Sequence, residues 1–233
     1  MTGSMTTFLL ASILLFVVWL ALLLFVSETR REQVIMSVVG LVLAPGALLI
    51  ASSDYRGALL EQRTTVGIED LIFAFSLFGI ASVIYQYLLG RHVHKLRGTK
   101  YEIRHAGHWI AHLILALSLW FLTALLLTNF LSLNPIHAIL CSGLLIGAHI
   151  IADRHDLTMN ALLSGLFTAA LVFFTEQIFF LRFFHIGFDA FWDFKTISGF
   201  IIGGVPVEEI AWAAVVGFAI GPMYEWLKRN ELR

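Results

Sequence analysis

Two adjacent carboxylates, Glu208 and Glu209, begin a stretch, VPVEEIAWAAVVGFAIGPMYEWL, in which no other charge follows until Glu225. A second acidic pair, Glu69 and Asp70, opens VGIEDLIFAFSLFGIASVIYQYL in the same way, and a further acid, Glu176, lies inside LVFFTEQIFF. An acidic side chain well inside an apolar span costs roughly 2.5–3.5 kcal/mol if charged, so it faces a cavity or keeps its proton. An apolar wall and a neighbouring carboxylate both disfavour a second negative charge, which lets one acid of a pair hold its proton at neutral pH. Phe73 stands at i+4 from Glu69 and Trp212 at i+4 from Glu208, on the same helix faces. A proton donor beside an aromatic face can generate a carbocation and shelter it by cation–π attraction. That chemistry suits an alkene and suits a sugar or a peptide poorly. The plainer role of a first-turn carboxylate is to complement the helix dipole, worth roughly 0.3–1 kcal/mol. The plainer fate of a single aromatic is packing or lipid contact.

The elements that must position these acids are membrane spans. Of the 233 residues, 59% are apolar and 13% charged, where soluble domains sit nearer half and a quarter. The pattern is that of an all-α integral membrane protein. Seven apolar stretches are long enough to cross a bilayer. They are Phe8–Val26, Val34–Ser52, Val66–Leu89, His108–Leu133, Pro135–Ala152, Leu157–Leu181 and Val205–Leu227. Most of the 15 Lys and Arg fall in the first, third and fifth loops and the C-terminal tail. By the positive-inside rule the N-terminus is then outside and the C-terminus cytoplasmic, in a multi-pass protein of the cell membrane. A net charge of −1 implies no nucleic-acid partner, and the lone Cys141 supplies neither a disulfide framework nor a cysteine-rich metal site. No G-x-G-x-x-G or P-loop pattern calls for a nucleotide.

The third and seventh stretches align without a gap at an offset of 139, Val66–Leu88 on Val205–Leu227. Glu69 falls on Glu208, Asp70 on Glu209, Phe73 on Trp212 and Tyr85 on Tyr224. This fits two parallel three-helix repeats joined by a linking helix, with residues 1–90 as the first repeat, 91–134 as a basic loop plus linking helix, and 135–233 as the second. A site between the halves would draw one acidic pair from each. Pro206 suits a first helical turn because it has no N–H to donate there.

The stretch PVEEIAWAAVVGFAIGPMYEWL, preceded by FWDFKTISGFIIGG, resembles the C-terminal domain of the small membrane lycopene cyclases. That family's hallmark is Pro-x-Glu-Glu opening a helix with a Tyr-Glu near its end, here Pro206, Glu208, Glu209, Tyr224 and Glu225. The first copy departs from it, reading Gly67-Ile68-Glu69-Asp70 without the proline. The residues after the acids, Ile-Ala-Trp-Ala and Leu-Ile-Phe-Ala, replace the family's usual phenylalanines. The resemblance implies a redox-neutral cyclisation of an acyclic isoprenoid end group, lycopene or a near relative, to a β- or ε-ring. It implies no cofactor, a lipophilic carotenoid substrate in the bilayer, and neighbouring carotenoid-pathway enzymes as partners. The roles it implies are Glu208 and Glu69 as acid and base in some order, Glu209, Asp70 and Glu176 tuning them, and Phe73, Trp212, Tyr85, Tyr224 and Pro206 lining the site.

A competing constellation sits at the other membrane face. His105, His108 and His112 form one helical stripe, and His149 stands four residues before Asp153. His108, His112, His149 and Asp153 have the donor types of a zinc or iron site, as in a membrane metalloenzyme. Their plainer role is interfacial, beside a loop with five Lys and Arg in GRHVHKLRGTKYEIRH that is built to meet anionic lipid. Membrane CAAX-type proteases also use a Glu-Glu pair, but their histidines follow it, and no histidine follows Glu209 here. A non-catalytic scaffold or transporter is the third class, since parallel repeats occur there too.

Overall fold

In the computed structural model, residues 2–51, 66–89, 93–95, 106–178, 197–228 and 230–232 are described. Helices α1 (Thr2–Phe25), α2 (Arg30–Ala51), α3 (Ile68–Leu89), α4 (Ala106–Leu131), α5 (Pro135–Asp153) and α6 (Thr158–Glu176) follow in order. A broken helix, α7 (Val207–Ile220) and α8 (Met223–Lys228), closes the bundle. Among the described residues, six helical segments are long and apolar enough to cross a membrane, and the chain is an all-α membrane protein. The remaining expected span, 34–52, falls on α2, whose last residues lie partly outside the described set. The expected end of the sixth span, to Leu181, also lies outside it.

Each boundary has a local cause. At α5, the Asn134 side chain accepts from the Ile136 N–H at 3.0 Å and Pro135 occupies the first turn, a cap that leaves no orphaned donor at that position. The seventh stretch was expected to be one helix and is two. Pro222 has no N–H to continue the ladder, so α7 stops at Ile220, while the Trp226 N–H bonds the Pro222 carbonyl at 3.0 Å to start α8.

α3 and the α7–α8 pair are the most buried spans, and α4 is the least buried. α3 packs on α1, α2, α6 and α7; α7 packs on α5, α6 and α3; α4 leans mainly on α5. One continuous apolar core crosses both halves, with Met36, Leu77, Ile150, Val172, Val216 and Ile220 among its members. Glycines set the closest approaches. A Cβ on Gly40 of α2 would lie 2.6 Å from the Ala74 carbonyl oxygen of α3, and one on Gly217 of α7 would run into the Ser164 carbonyl of α6. Small residues at such crossings are how membrane helices gain packing that lipid cannot supply.

The contacts between α3 and α7–α8 join residues at the repeat offset. Phe73 stacks on Trp212 near one end, and the Gln86 amide bonds Glu225 near the other. Beyond the helices, strand β1 (Val93–Lys95) pairs antiparallel with β4 (Asn230–Leu232), Val93 opposite Leu232. All three pairs are 139 positions apart. Contacts at both ends place α3 and α7–α8 side by side and running in the same direction.

Candidate active site

The first acidic pair is delivered by the start of α3. Gly67 caps that helix, and its N–H donates to Asp70 Oδ2 at 3.0 Å, so Asp70 serves partly as a capping carboxylate. The second pair is delivered by a hairpin. Strands β2 (Ile201–Ile202) and β3 (Val205–Pro206) pair antiparallel around Gly203 and Gly204, whose φ values of 57° and 94° are left-handed and favour glycine. Pro206 ends β3 as the N-cap of α7, with ψ 140°, one position earlier than the first-turn place expected for it. The extended ψ lets the residue finish the hairpin before the chain coils.

This substitution of proline for glycine separates the two otherwise equivalent acids. Glu209 holds the third helical position, as Asp70 does in α3, but its N-cap has no N–H to offer. Glu209 is 6% exposed, and burial in apolar surroundings dominates its environment. Glu208 turns the other way. Its Oε1 accepts from the Ser198 N–H at 2.7 Å, which ties the approach to the hairpin onto α7, and its Oε2 is buried without a partner among the described residues.

An apolar cleft of about 520 Å³ runs between α2, α3, α4, α5 and α7. Asp70 and Glu209 both line it, together with Phe73, Trp212, Phe78, Trp120 and Phe121. The Phe73 and Trp212 rings stack at 5.9 Å between centroids and 23° between planes. Behind them a smaller cavity is lined by Glu209, Glu176, Thr175, Phe73 and Phe8, so Glu209 borders both spaces. Phe8 packs on Phe73 at 5.6 Å and backs the stack from α1.

The structure therefore gathers Asp70, Glu209, Phe73 and Trp212 at one cleft, with Glu176 behind it. Glu69 and Glu208 are buried nearby but are not cleft-lining residues. The cleft aromatics stand at i+3 from Asp70 and Glu209. Spacings of three and four both share a helix face, which is why spacing alone could pair them with Glu69 and Glu208 instead. Tyr85 and Tyr224 do not line the cleft. Each is twelve residues along its helix from Phe73 or Trp212, about 18 Å at 1.5 Å per residue, and both are buried at the opposite end of the bundle. Trp120, Phe121 and Phe78 went unrecognised, because nothing in an apolar helix marks which aromatic turns inward.

Of the histidine cluster, His149 and Asp153 are engaged with α8. His149 meets Trp226 edge-on at 5.9 Å, and Asp153 Oδ2 accepts from the Trp226 indole N–H at 2.8 Å. No group of three His, Cys, Asp or Glu placed to hold a metal occurs among the described residues, and the His108 side chain lies outside them.

The family model described as lycopene cyclase matches residues 134–227. The matched lycopene cyclase segment starts at the cap of α5 and ends in α8, so it carries Glu176, the hairpin, Glu208, Glu209 and Trp212. No curated protein and no solved structure matches the chain.

Proposed function

We propose that the protein is an intramolecular-lyase-type isomerase that closes the acyclic end group of a carotenoid such as lycopene by proton-initiated cyclisation. The observation that carries this reading is the pairing of Asp70 and Glu209, one from each half of the chain, along an apolar cleft beside stacked Phe73 and Trp212. A carboxyl in an apolar wall with no hydrogen-bonding partner among the described residues is held more cheaply neutral than charged, so Glu209 is the proton donor. Asp70, which accepts the Gly67 N–H, has a donor to stabilise its ionised form and is the base.

The reaction balances within the substrate. Glu209 adds H⁺ to the terminal C=C of the end group and leaves a tertiary cation. The neighbouring C=C attacks that cation, forming the ring C–C bond and moving the positive charge into the ring. Asp70 removes a ring proton, and its electron pair becomes the ring double bond, β or ε according to which proton leaves. The product is an isomer of the substrate, no electrons are transferred, and a proton passing from Asp70 to Glu209 resets the site. Phe73 and Trp212 face the cationic stage with their π-systems, worth about 0.5–2 kcal/mol. The apolar walls exclude water that would otherwise capture the cation.

The fold reading that accompanies this mechanism is a duplication, with residues 1–90 and 135–233 as the two copies and 91–134 joining them. The N-terminus lies outside the cell membrane and the C-terminus in the cytoplasm. Neighbouring enzymes that supply the acyclic substrate are its natural companions in the bilayer. Expression in a lycopene-accumulating bacterial host tests the activity. A cyclic carotene of unchanged mass is the expected product, and lycopene left intact by the membrane-inserted wild type would remove the assignment.

A further inference from the structure

A second buried polar assembly lies far from the cleft, where α2, α3 and α8 meet. The Gln86 side-chain N–H group donates to Glu32 Oε2 at 3.1 Å and to Glu225 Oε1, so one amide joins two carboxylates. Their exposures are 2% for Glu32, 3% for Gln86 and 0% for Glu225. Each of the three side chains also buries a second oxygen, Glu32 Oε1, Gln86 Oε1 and Glu225 Oε2, that meets no hydrogen-bond donor among the described residues. Acceptors outnumber donors here, and both carboxylates would carry charge into an interior where an unsatisfied group costs several kcal/mol.

The nearby bases have partners of their own. The Arg154 guanidinium binds both oxygens of Asp156, and its Nη1 donates to the main-chain carbonyl of Glu225 at 3.4 Å. Lys228 sits over the Trp109 ring at 4.0 Å. The Tyr224 hydroxyl lies in electrostatic range of Glu32, Glu225 and Arg31.

We propose that Glu32, Gln86 and Glu225 form a binding site for a hard divalent cation of the Ca²⁺ or Mg²⁺ class. Two carboxylates match its charge, and the Gln86 amide, turned over so that its carbonyl rather than its N–H group faces them, would supply an additional oxygen ligand for such an ion. Glu32 and Gln86 come from the first half of the chain and Glu225 from the second, so the ion cross-links the halves. Gln86 is sixteen residues along α3 from Asp70, about 24 Å, which places the ion outside the cleft and outside the reaction. Its role is to hold the two helical halves in register, so that the acids at the far end face one cleft.

Thermal unfolding of the detergent-purified full chain tests this, followed by tryptophan fluorescence after removal of metal with a chelator. Adding Ca²⁺ or Mg²⁺ should raise the wild-type midpoint by several degrees, while Na⁺ at matched ionic strength should not. Glu32→Gln and Glu225→Gln should each abolish the cation-dependent rise. A calorimetric titration of the metal-free wild type should show saturable binding of one ion, a readout that does not depend on the variants folding. A wild-type midpoint identical with and without divalent ion would overturn the site. A full rise retained in both variants would do the same. A midpoint raised by acid alone, with no ion dependence, would give the pair a shared proton instead.

Discussion

At the scale of single residues, Glu208 and Glu209 diverge because a helix turns by about 100° per residue. Glu209 comes to the cleft wall and Glu208 to the Ser198 N–H. The capping residue sharpens the difference. Replacing Pro206 with Ala would supply a main-chain N–H that Glu209 can accept, as Asp70 accepts that of Gly67. The P206A protein should cyclise more slowly by about tenfold or more while its thermal midpoint holds or rises, measured by product yield and by unfolding in detergent. Unchanged turnover would show that Glu209 does not depend on an unbonded state. Trp212→Leu should keep the acids but remove a cation–π partner worth about 1–2 kcal/mol, so turnover should fall roughly five- to thirty-fold. A Trp212→Phe protein should recover most of that loss. The acid types and their doubling were legible in the sequence because they are rare in apolar runs. Which acid of each pair lines the cleft was not, since Phe73 and Trp212 lie within about one turn of both.

At the scale of elements, the site depends on how closely α7 lies against α6. Gly217 sits where any Cβ would meet the Ser164 carbonyl and the Thr168 hydroxyl. Gly217→Ala should therefore cost about 1–3 kcal/mol by overpacking, read as a lowered thermal midpoint, and should also displace Trp212 from Phe73. Ala at Gly199, where φ is 78° and nothing lies within 4 Å, should be milder because only backbone strain opposes it. The helices were legible from apolar length, and the break at Pro222 follows from a missing N–H. The hairpin before α7 was less visible. Its two strands have two residues each, and only Gly203-Gly204 marks the turn, so it reads as a helix start when helices dominate the surroundings.

At the scale of the whole molecule, the cleft takes one acid from each half, so on the proposed mechanism neither half is complete alone. Cutting the chain within the basic segment 96–105 should give two fragments that are inactive alone. Expressed together they should restore cyclisation, measured as ring-bearing carotene per cell, since α3 and α7 meet through side chains rather than through a shared loop. Activity from the second fragment alone would show that Asp70 is dispensable. The repeat was legible at α3 and α7 because the offset of 139 is constant there. That residues 139 apart touch at Phe73–Trp212 and Gln86–Glu225 needed the structure. Gln86 is polar in an otherwise apolar helix and falls on Glu225 in the alignment, a signal for the second buried assembly that the acidic pairs overshadowed. Glu32, near two arginines at a helix start, gave no comparable sign.

The central claim is that the cleft-facing acid of each pair carries the chemistry. Pigment chromatography from lycopene-accumulating cells expressing four variants tests it most directly, with membrane levels matched to wild type by immunoblot. Glu209→Gln and Asp70→Asn should lose on the order of a hundredfold or more of cyclic product, the scale of a missing general acid or base. Glu208→Gln and Glu69→Gln should keep most of it. Loss of product in the second set with activity retained in the first would contradict the assignment and move the catalytic acids to Glu208 and Glu69.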